Sequence, residues 1–149
     1  MNQIEFNPYC CDEDILNVCK EHGIVIQAYS PIGSGTKIGR RGETISGENE
    51  KKLTLIKTDV LLIIFNFSVL DDPVLKEIAD KMGCSLGQLC IAWALRKCVA
   101  VSTKTEKEKR MEENLHSYNF ADKITEEDMN RIGELNIDLR KYFEPYTIP

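Results

Sequence analysis

The sequence predicts an α/β fold built on a parallel β-sheet. Three short apolar segments, residues 2–6, 24–29 and 99–102, are separated by longer stretches whose apolar residues recur at helical spacing. Strands that alternate with amphipathic helices are typical of parallel βαβ units. Glycine, proline and capping residues lie at the ends of most of these segments, which supports the division into elements.

The first two predicted strands flank one helix. The strand Asn2–Phe6 ends at a turn signal that contains Pro8. Asp12 has the position of a helix N-cap, and Gly23 marks the end of that helix. Its apolar side chains are Ile15, Leu16 and Cys19. The second strand, Ile24–Tyr29, forms an apolar run of the kind that parallel sheets bury on both faces.

Two further helices are predicted before the third strand. Asp72 and Pro73 have the pattern of an N-cap followed by proline at the first helical position, and Gly83 ends this helix. Ser85 and Gln88 have the spacing of a capping box that begins the next one. The inward residues are Leu75, Ile78, Ala79 and Met82 in the first helix and Leu89, Cys90, Trp93 and Ala94 in the second.

Two helices are predicted after the third strand, Val99–Ser102. Thr105–Glu108 has the sequence of a capping box and predicts a helix that runs to about Ser117. Thr125–Asp128 starts the last helix, which places Met129, Ile132 and Leu135 on one side.

The segment Thr36–Val69 interrupts this regular order, because connections between such elements usually take about 2–6 residues. Its first half is polar and rich in glycine, whereas Leu53–Leu70 is strongly apolar and β-branched. One interpretation is an elaborated substrate lid. The other is a tolerated insertion that contains an aggregation-prone stretch, Leu61–Phe65.

Composition excludes several classes of protein. A length of 149 residues fits one domain, and a net charge of −5 provides no basic field for nucleic acid. The residues after Met1 have no signal-peptide pattern, and the most apolar run, Val60–Leu70, is too short to span a bilayer. We therefore expect a cytoplasmic protein without nucleic-acid or membrane partners.

The cysteines and histidines do not have the spacing of a metal site. None of the six cysteines forms a C-x-x-C pair, and His22 and His116 fall in no ligand pattern. Cys19, Cys90 and Cys98 lie within apolar patterns, where free cysteine behaves as a small hydrophobe. We expect no metal site.

The turn after the third strand is a candidate anion site. Lys104 and Thr105 lie between the strand and the predicted helix, and Arg110 follows inside that helix. A helix N-terminus with a lysine, a hydroxyl and an arginine suits a phosphate monoester. The alternative is an ordinary solvated helix start, since Glu106 and Glu108 lie in the same stretch.

Five segments together resemble the C-terminal half of the aldo-keto reductases: NQIEFNPY, GIVIQAYSPIGSG, DDPVLKEIADKMG, LGQLCIAWALRKCVAVSTKT and KRMEENL. The resemblance covers nearly the whole chain outside the insertion. It implies a partial (β/α)₈ TIM barrel made of its C-terminal three βα units, strands six to eight, and the C-terminal helix. Residues 1–149 would then be a single incomplete domain, with 36–69 as an atypical insertion.

The resemblance also implies a cofactor, NADPH (NADP), and a small-molecule carbonyl substrate in full-length relatives. In the family the tyrosine of the A-Y-S-P motif stacks on the nicotinamide ring, and this role falls to Tyr29. Gln3 would hydrogen-bond the carboxamide. The pyrophosphate would lie along the turn that follows Tyr29, which contains Ser30, Pro31, Ile32 and Ser34.

The adenosine end of the cofactor would lie at the second motif. The family's I-P-K-S motif is similar to residues 102–105, so the 2′-phosphate would contact Lys104, Thr105 and Arg110. Glu113 and Asn114 match residues that contact adenine. Thr103 replaces the proline of the motif, and the charge of Glu106 is expected to repel a nearby phosphate.

The family's catalytic aspartate, tyrosine, lysine and histidine belong to its N-terminal half, so no catalytic residue is predicted in this chain. One hypothesis is a C-terminal fragment of an NADPH-dependent carbonyl reductase that is inactive alone. The other is a non-catalytic dinucleotide-binding or protein-interaction module. Three strands of a barrel are expected to leave apolar side chains without opposing strands, so we expect self-association: the side chains are Ile4, Phe6, Ile24, Ile26, Val99 and Val101.

Overall fold

The computed structural model describes residues 1–33 and 68–138. They contain a three-stranded parallel sheet in the order β1, β2, β3, with β1 at Asn2–Glu5, β2 at Ile26–Tyr29 and β3 at Ala100–Val101. The predicted α/β class and the parallel pairing are confirmed for this part of the chain.

Six helices accompany the sheet within the described residues. The three that the capping residues predicted best are α1 at Glu13–Glu21, α2 at Pro73–Met82 and α3 at Leu86–Arg96. They are followed by α4 at Glu108–Leu115, α5 at Tyr118–Ala121 and α6 at Glu126–Gly133. A short 3₁₀ turn, Val69–Asp71, precedes α2.

Most predicted helix starts are confirmed by side-chain hydrogen bonds. The Asp12 carboxylate accepts from the Ile15 N–H at 3.1 Å, and Asp72 accepts from the N–H groups of Val74 and Leu75. At α3 both bonds of the capping box are present, because the Ser85 hydroxyl accepts from the Gln88 N–H while the Gln88 amide oxygen accepts from the Ser85 N–H. These caps satisfy amide groups that have no partner inside the helix.

The capping box predicted at Thr105–Glu108 is wrong. The Thr105 hydroxyl accepts from the Lys107 N–H at 3.2 Å, which closes a local turn, and α4 begins only at Glu108 without a side-chain cap. A Ser or Thr turn of this kind competes with helix formation. The helix also ends at Leu115, and the short α5 that follows was not predicted.

The second strand is shorter than predicted. Ile24 and Val25 precede β2 and are 40% and 59% exposed, so the prediction of a strand buried on both faces from Ile24 onward is wrong. The Ile24 N–H donates to the Cys19 carbonyl at 2.7 Å, while Gly23 has φ 63°. The chain here completes the C-terminal cap of α1 before the strand begins.

One face of the sheet packs beneath the helices. Strand pairing aligns Ile4 with Ala28 and Ala28 with Val101, and all three belong to or pack against the hydrophobic core. Of the apolar strand residues expected to have no opposing strand, Phe6, Ile26 and Val99 are buried in this core, and Ile4 and Val101 pack against it partly buried.

Phe6 and Trp93 form the centre of this core. Both are 0% exposed, and their rings stack with a centroid distance of 4.9 Å. The other sheet face presents Gln3 aligned with Gln27, and Gln27 aligned with Ala100. Glu5 aligned with Tyr29 also lies on this face, so its side chains are polar or small apart from the Tyr29 ring.

The predicted insertion lies almost wholly outside the described residues. Ser68 and Val69, which were assigned to it, are buried. The Ser68 hydroxyl accepts from the Leu70 N–H at 3.2 Å, and Val69 joins the hydrophobic core. These two residues therefore belong to the packed body that precedes α2.

Candidate functional site

A cleft of about 450 Å³ lies at the carboxyl ends of β2 and β3. Two neighbouring strand ends, one helix start and one helix end contribute to it. The lining residues are Tyr29, Ser30, Pro31 and Ile32 after β2, Ser102, Thr103 and Lys104 after β3, Gly87 and Ile91 in α3, and Asn114 in α4. Crevices at the carboxyl ends of parallel strands are typical ligand sites.

The wall after β2 is fixed by its backbone. Ser30 has φ 52°, a left-handed conformation that is uncommon outside glycine, and Gly33 has φ 57°. The Gly33 N–H donates to the Ser30 carbonyl at 2.9 Å, which closes a tight turn. The Phe6 N–H donates to the Tyr29 carbonyl at 3.2 Å, so the turn is tied to the end of β1. This backbone presents the partly buried side chain of Tyr29 at the cleft.

The wall after β3 is held differently. The Ser102 N–H donates to the Ala28 carbonyl at 2.8 Å and continues the strand pairing. Thr103 and Lys104 beyond it are exposed and lie outside regular secondary structure. The ammonium group of Lys104 adds a positive charge to the lining of the cleft.

The helices α3 and α4 also contribute to the lining of the cleft. Gly87 lies in the first turn of α3, and a Cβ built there meets nothing nearer than the Ser85 hydroxyl at 4.0 Å. The Gln88 side-chain amide donates to the Glu113 carbonyl of α4 at 3.0 Å. This bond joins the two helices next to Asn114, the α4 residue in the cleft.

Six of the predicted cofactor residues share this cleft, although they come from segments far apart in sequence: Tyr29, Ser30, Pro31, Ile32, Lys104 and Asn114. Gln3 lies on β1, exposed, two strands from β3. Thr105, Arg110 and Glu113 are not among the lining residues. Ser34 lies outside the described residues.

Sequence reasoning missed Gly87 and Ile91 as part of the cleft. Both were hidden inside a helix that the pattern assigned to core packing. The available signal was a glycine in the first turn of a helix, where it costs about 0.5–1 kcal/mol relative to alanine.

The perturbed tyrosine and thiol groups lie away from the cleft. The Tyr9 hydroxyl donates to the Asp72 carboxylate at 2.6 Å, and burial with this carboxylate raises the Tyr9 pKa far above its ordinary value. Burial likewise raises the pKa of Cys11 to about 12. The hydrogen bond between Tyr9 and Asp72 fixes the loop after β1. Because their pKa values are raised, the Tyr9 hydroxyl and the Cys11 thiol are poor acids or nucleophiles near neutral pH.

Residues 1–33 and 68–138 contain neither a candidate metal centre nor a candidate membrane span. No group of three or more His, Cys, Asp or Glu side chains there could hold a metal ion. No helix in these ranges is long and apolar enough to cross a membrane.

The sequence matches the model of the aldo/keto reductase family over residues 1–137. It is 30% identical over 122 residues to the glycerol 2-dehydrogenase (NADP(+)) of Hypocrea jecorina, which covers 82% of this chain and 31% of that protein. It is 29% identical over 142 residues to the NADP-dependent D-sorbitol-6-phosphate dehydrogenase of Malus domestica, covering 95% and 37%.

A third relative is the 9,11-endoperoxide prostaglandin H2 reductase of Trypanosoma cruzi, at 31% identity over 140 residues, covering 94% of this chain and 38% of that protein. The names of the three relatives give different substrates, and two of them give NADP as the cofactor. The chain spans between 31% and 38% of the length of these relatives.

Proposed function

This chain belongs to the aldo/keto reductase family, and from that premise we propose that it forms the NADP-binding part of a carbonyl reductase. The observation that carries the proposal is the convergence of Tyr29 and Lys104 on one cleft from two neighbouring strand ends. In this proposal, the strands β1 to β3 take the positions of the sixth to eighth strands of a (β/α)₈ barrel. The cleft then lies on the carboxyl face, where active sites of that fold are found.

The groups around the cleft fit the parts of a dinucleotide. Tyr29 offers a flat aromatic surface for the nicotinamide ring, and the tight turn from Ser30 to Gly33 lines the cleft beside it. Lys104 supplies a point charge for a phosphate, and Asn114 supplies an amide for a base. The missing side chain at Gly87 leaves space beside them.

The bound cofactor would supply hydride transfer between its nicotinamide and the carbonyl carbon of a substrate. The residues of this chain bind and orient it: Tyr29 sets the plane of the ring, and Lys104 favours a ligand with an extra phosphate. In the family that the sequence resembles, the proton donor belongs to the N-terminal half, and this supports a binding role without catalysis for the present chain. We therefore propose that the 149 residues alone bind NADP without reducing a carbonyl compound. The cytoplasmic location and the self-association stay predictions.

Titration of the chain with NADPH tests the binding role, with Tyr29→Ala as the variant and Tyr118→Ala as its control. Tyr118 is 60% exposed on α5 and does not line the cleft. Stacking on an aromatic side chain contributes about 1–3 kcal/mol per base, so Tyr29→Ala should weaken NADPH binding about tenfold or more. Tyr118→Ala should leave it unchanged. Equal affinity of the wild type and Tyr29→Ala would contradict the proposal.

The inactivity of the chain is tested separately, by NADPH oxidation in the presence of an aldehyde. General acid catalysis contributes about 10²–10⁴-fold, and without it no turnover above a heat-treated sample is expected. Turnover that Tyr29→Ala abolishes would show that the chain carries its own proton donor.

A further inference from the structure

The position of α4 is not set by a hydrophobic core. None of its residues is buried, and its apolar side chains Met111 and Leu115 are 51% and 70% exposed. Its first turn has no side-chain cap. Most helices are held by burial of an apolar face, so α4 depends on polar contacts for its place.

Gln88 provides such a contact with both ends of its side-chain amide. Its Oε1 accepts from the Ser85 N–H at 3.1 Å, which completes the capping box of α3. Its Nε2 donates to the Glu113 carbonyl at 3.0 Å. The partners fix this orientation, because an N–H group can only donate and a carbonyl can only accept.

The same Glu113 carbonyl is held from a second side. The Ser117 hydroxyl donates to it at 3.1 Å, and Ser117 is 0% exposed. The carbonyl therefore lies between the start of α3 and a residue anchored in the core. Asn114, the next residue along α4, lines the cleft together with Gly87, the residue before Gln88.

We propose that Gln88 is a positioning residue for the adenosine end of the cofactor. Its amide joins the α3 start to the α4 end and so holds Asn114 at the cleft. This proposal rests on the proposed binding of NADP in the cleft. The side chain acts through Glu113 and Asn114 and does not itself contact the ligand.

Two substitutions separate the two roles of the amide. Gln88→Glu keeps an acceptor for the Ser85 N–H, since glutamate is a regular member of a capping box, but it loses the donor to Glu113. Gln88→Lys keeps a donor and loses the acceptor. Lys109→Ala is the control on α4, because it removes only the 3.9 Å ion pair with the Glu113 side chain.

Each variant is titrated with adenosine 2′,5′-bisphosphate and with nicotinamide mononucleotide, two probes for opposite ends of NADP. Gln88→Glu should weaken the adenosine probe at least roughly three- to tenfold, because one hydrogen bond is lost and a carboxylate is added beside a site for phosphates, and should affect the nicotinamide probe less. Gln88→Lys should retain more of the adenosine affinity than Gln88→Glu. Lys109→Ala should match the wild type.

Hydrogen exchange of the α4 amides provides a measurement that does not need a ligand. Gln88→Glu should speed exchange over residues 108–115 and leave β1 and β2 protected. Unchanged exchange would show that the Gln88–Glu113 hydrogen bond does not hold α4. Faster exchange with unchanged adenosine affinity would overturn the positioning role of Gln88. If exchange shows the effect of the bond but the wild type binds neither probe, the proposed NADP binding fails and the positioning role fails with it.

Discussion

The ends of β2 and β3 lie side by side, yet the chain is held in different ways at the two places. After β2, the turn at Ser30 is closed by its own backbone, tied to β1 and flanked by the buried Pro31. After β3, Lys104 is exposed and the next helix has no buried residue. One half of the cleft is thus fixed by the core and the other by polar contacts.

This difference predicts how each half responds to substitution. Substitutions near β2 should mainly lower the free energy of unfolding, because the core holds the turn. Substitutions near β3 and α4 should mainly change cofactor affinity, because little buried surface depends on these residues.

The strongest destabilisation should come from truncating a core side chain behind the β2 half. Phe6→Ala removes a ring that is 0% exposed and stacks on Trp93 at 4.9 Å. Such a truncation lowers the free energy of unfolding by about 3–5 kcal/mol. Denaturant titration followed by Trp93 fluorescence measures it.

Met111→Ala is the matched truncation in the β3 half. Met111 is 51% exposed, so the free energy of unfolding should change by less than about 0.5 kcal/mol. A loss at Met111 comparable to that at Phe6 would show that α4 is part of the core after all.

The second prediction concerns the acid stability of the fold that carries both strand ends. Asp128 of α6 is buried and accepts from Lys81 of α2 at 2.9 Å and from the Thr125 hydroxyl at 2.8 Å. Burial opposes ionisation of this carboxyl, but the Lys81 and Thr125 hydrogen bonds hold its pKa below its ordinary value.

A lowered pKa fixes the sign of the pH dependence. The stabilisation is present above the pKa of the unfolded chain, about 4, and is lost as pH falls through the lower folded value. Asp128→Asn should cost about 1.5–3 kcal/mol at pH 7 and less at pH 3, because charged hydrogen bonds are lost only where they exist. Unfolding titrations at both pH values measure this, with Glu112→Gln on α4 as the control. An equal cost at both pH values would contradict the charge-based explanation.

Local sequence signals predicted the features that depend on neighbouring residues. Asp12, Asp72 and Ser85 cap helices because each bonds to amides two or three positions away. The same reasoning failed at Thr105, where the hydroxyl closes a turn instead. The sequence could not distinguish a helix cap from a turn at Thr105, since the path of the chain away from β3 is set by the sheet.

Contacts between distant segments were harder to predict. The family resemblance brought Tyr29 and Lys104 to one site, but it did not indicate that Gly87 and Ile91 complete the cleft. The bond from Gln88 to Glu113 crosses between two helices and joins a side chain to a carbonyl, so no sequence pattern encodes it. Which face of the sheet is buried likewise depends on how the helices pack against it.

The two basic residues that the resemblance assigns to the 2′-phosphate lie at different places relative to the cleft. Lys104 lines the cleft whereas Arg110 does not, although the resemblance assigned both to the 2′-phosphate. Lys104→Ala should reduce the preference for NADPH over NADH about five- to tenfold, as expected for one partly exposed charged contact. Arg110→Ala should reduce it at most about twofold, through the long-range field alone.

Neither substitution should change the free energy of unfolding measurably, since both side chains are exposed. Calorimetric titration with the two cofactors at low and high salt measures the preference. A larger effect of Arg110→Ala than of Lys104→Ala would place the phosphate on α4 instead of at the strand end.

Only small changes in stability are expected where the two strands begin. Gly23 before β2 and Cys98 before β3 have nearly the same backbone angle, φ 63° and 62°. Each follows a helix end, and the next residue donates back to the helix: Ile24 to Cys19 at 2.7 Å and Val99 to Ala94 at 3.1 Å. Cys98 is exposed, so the prediction that it packs as a small hydrophobe is wrong.

The left-handed conformation costs a non-glycine residue about 1–2 kcal/mol, whereas glycine adds about 0.5–1 kcal/mol of unfolded-chain entropy. Cys98→Gly should therefore raise the free energy of unfolding by about 0.5–1 kcal/mol, and Cys98→Ala should leave it nearly unchanged. Gly23→Ala should lower it by a similar amount, because the backbone strain exceeds the effect of the lower unfolded-chain entropy and an added Cβ there meets nothing within 4 Å. Denaturant midpoints under reducing conditions measure all three. If Cys98→Gly destabilises the chain, then the cysteine side chain contributes a contact that outweighs the strain, and the entries to β2 and β3 are held by different forces, as their ends are.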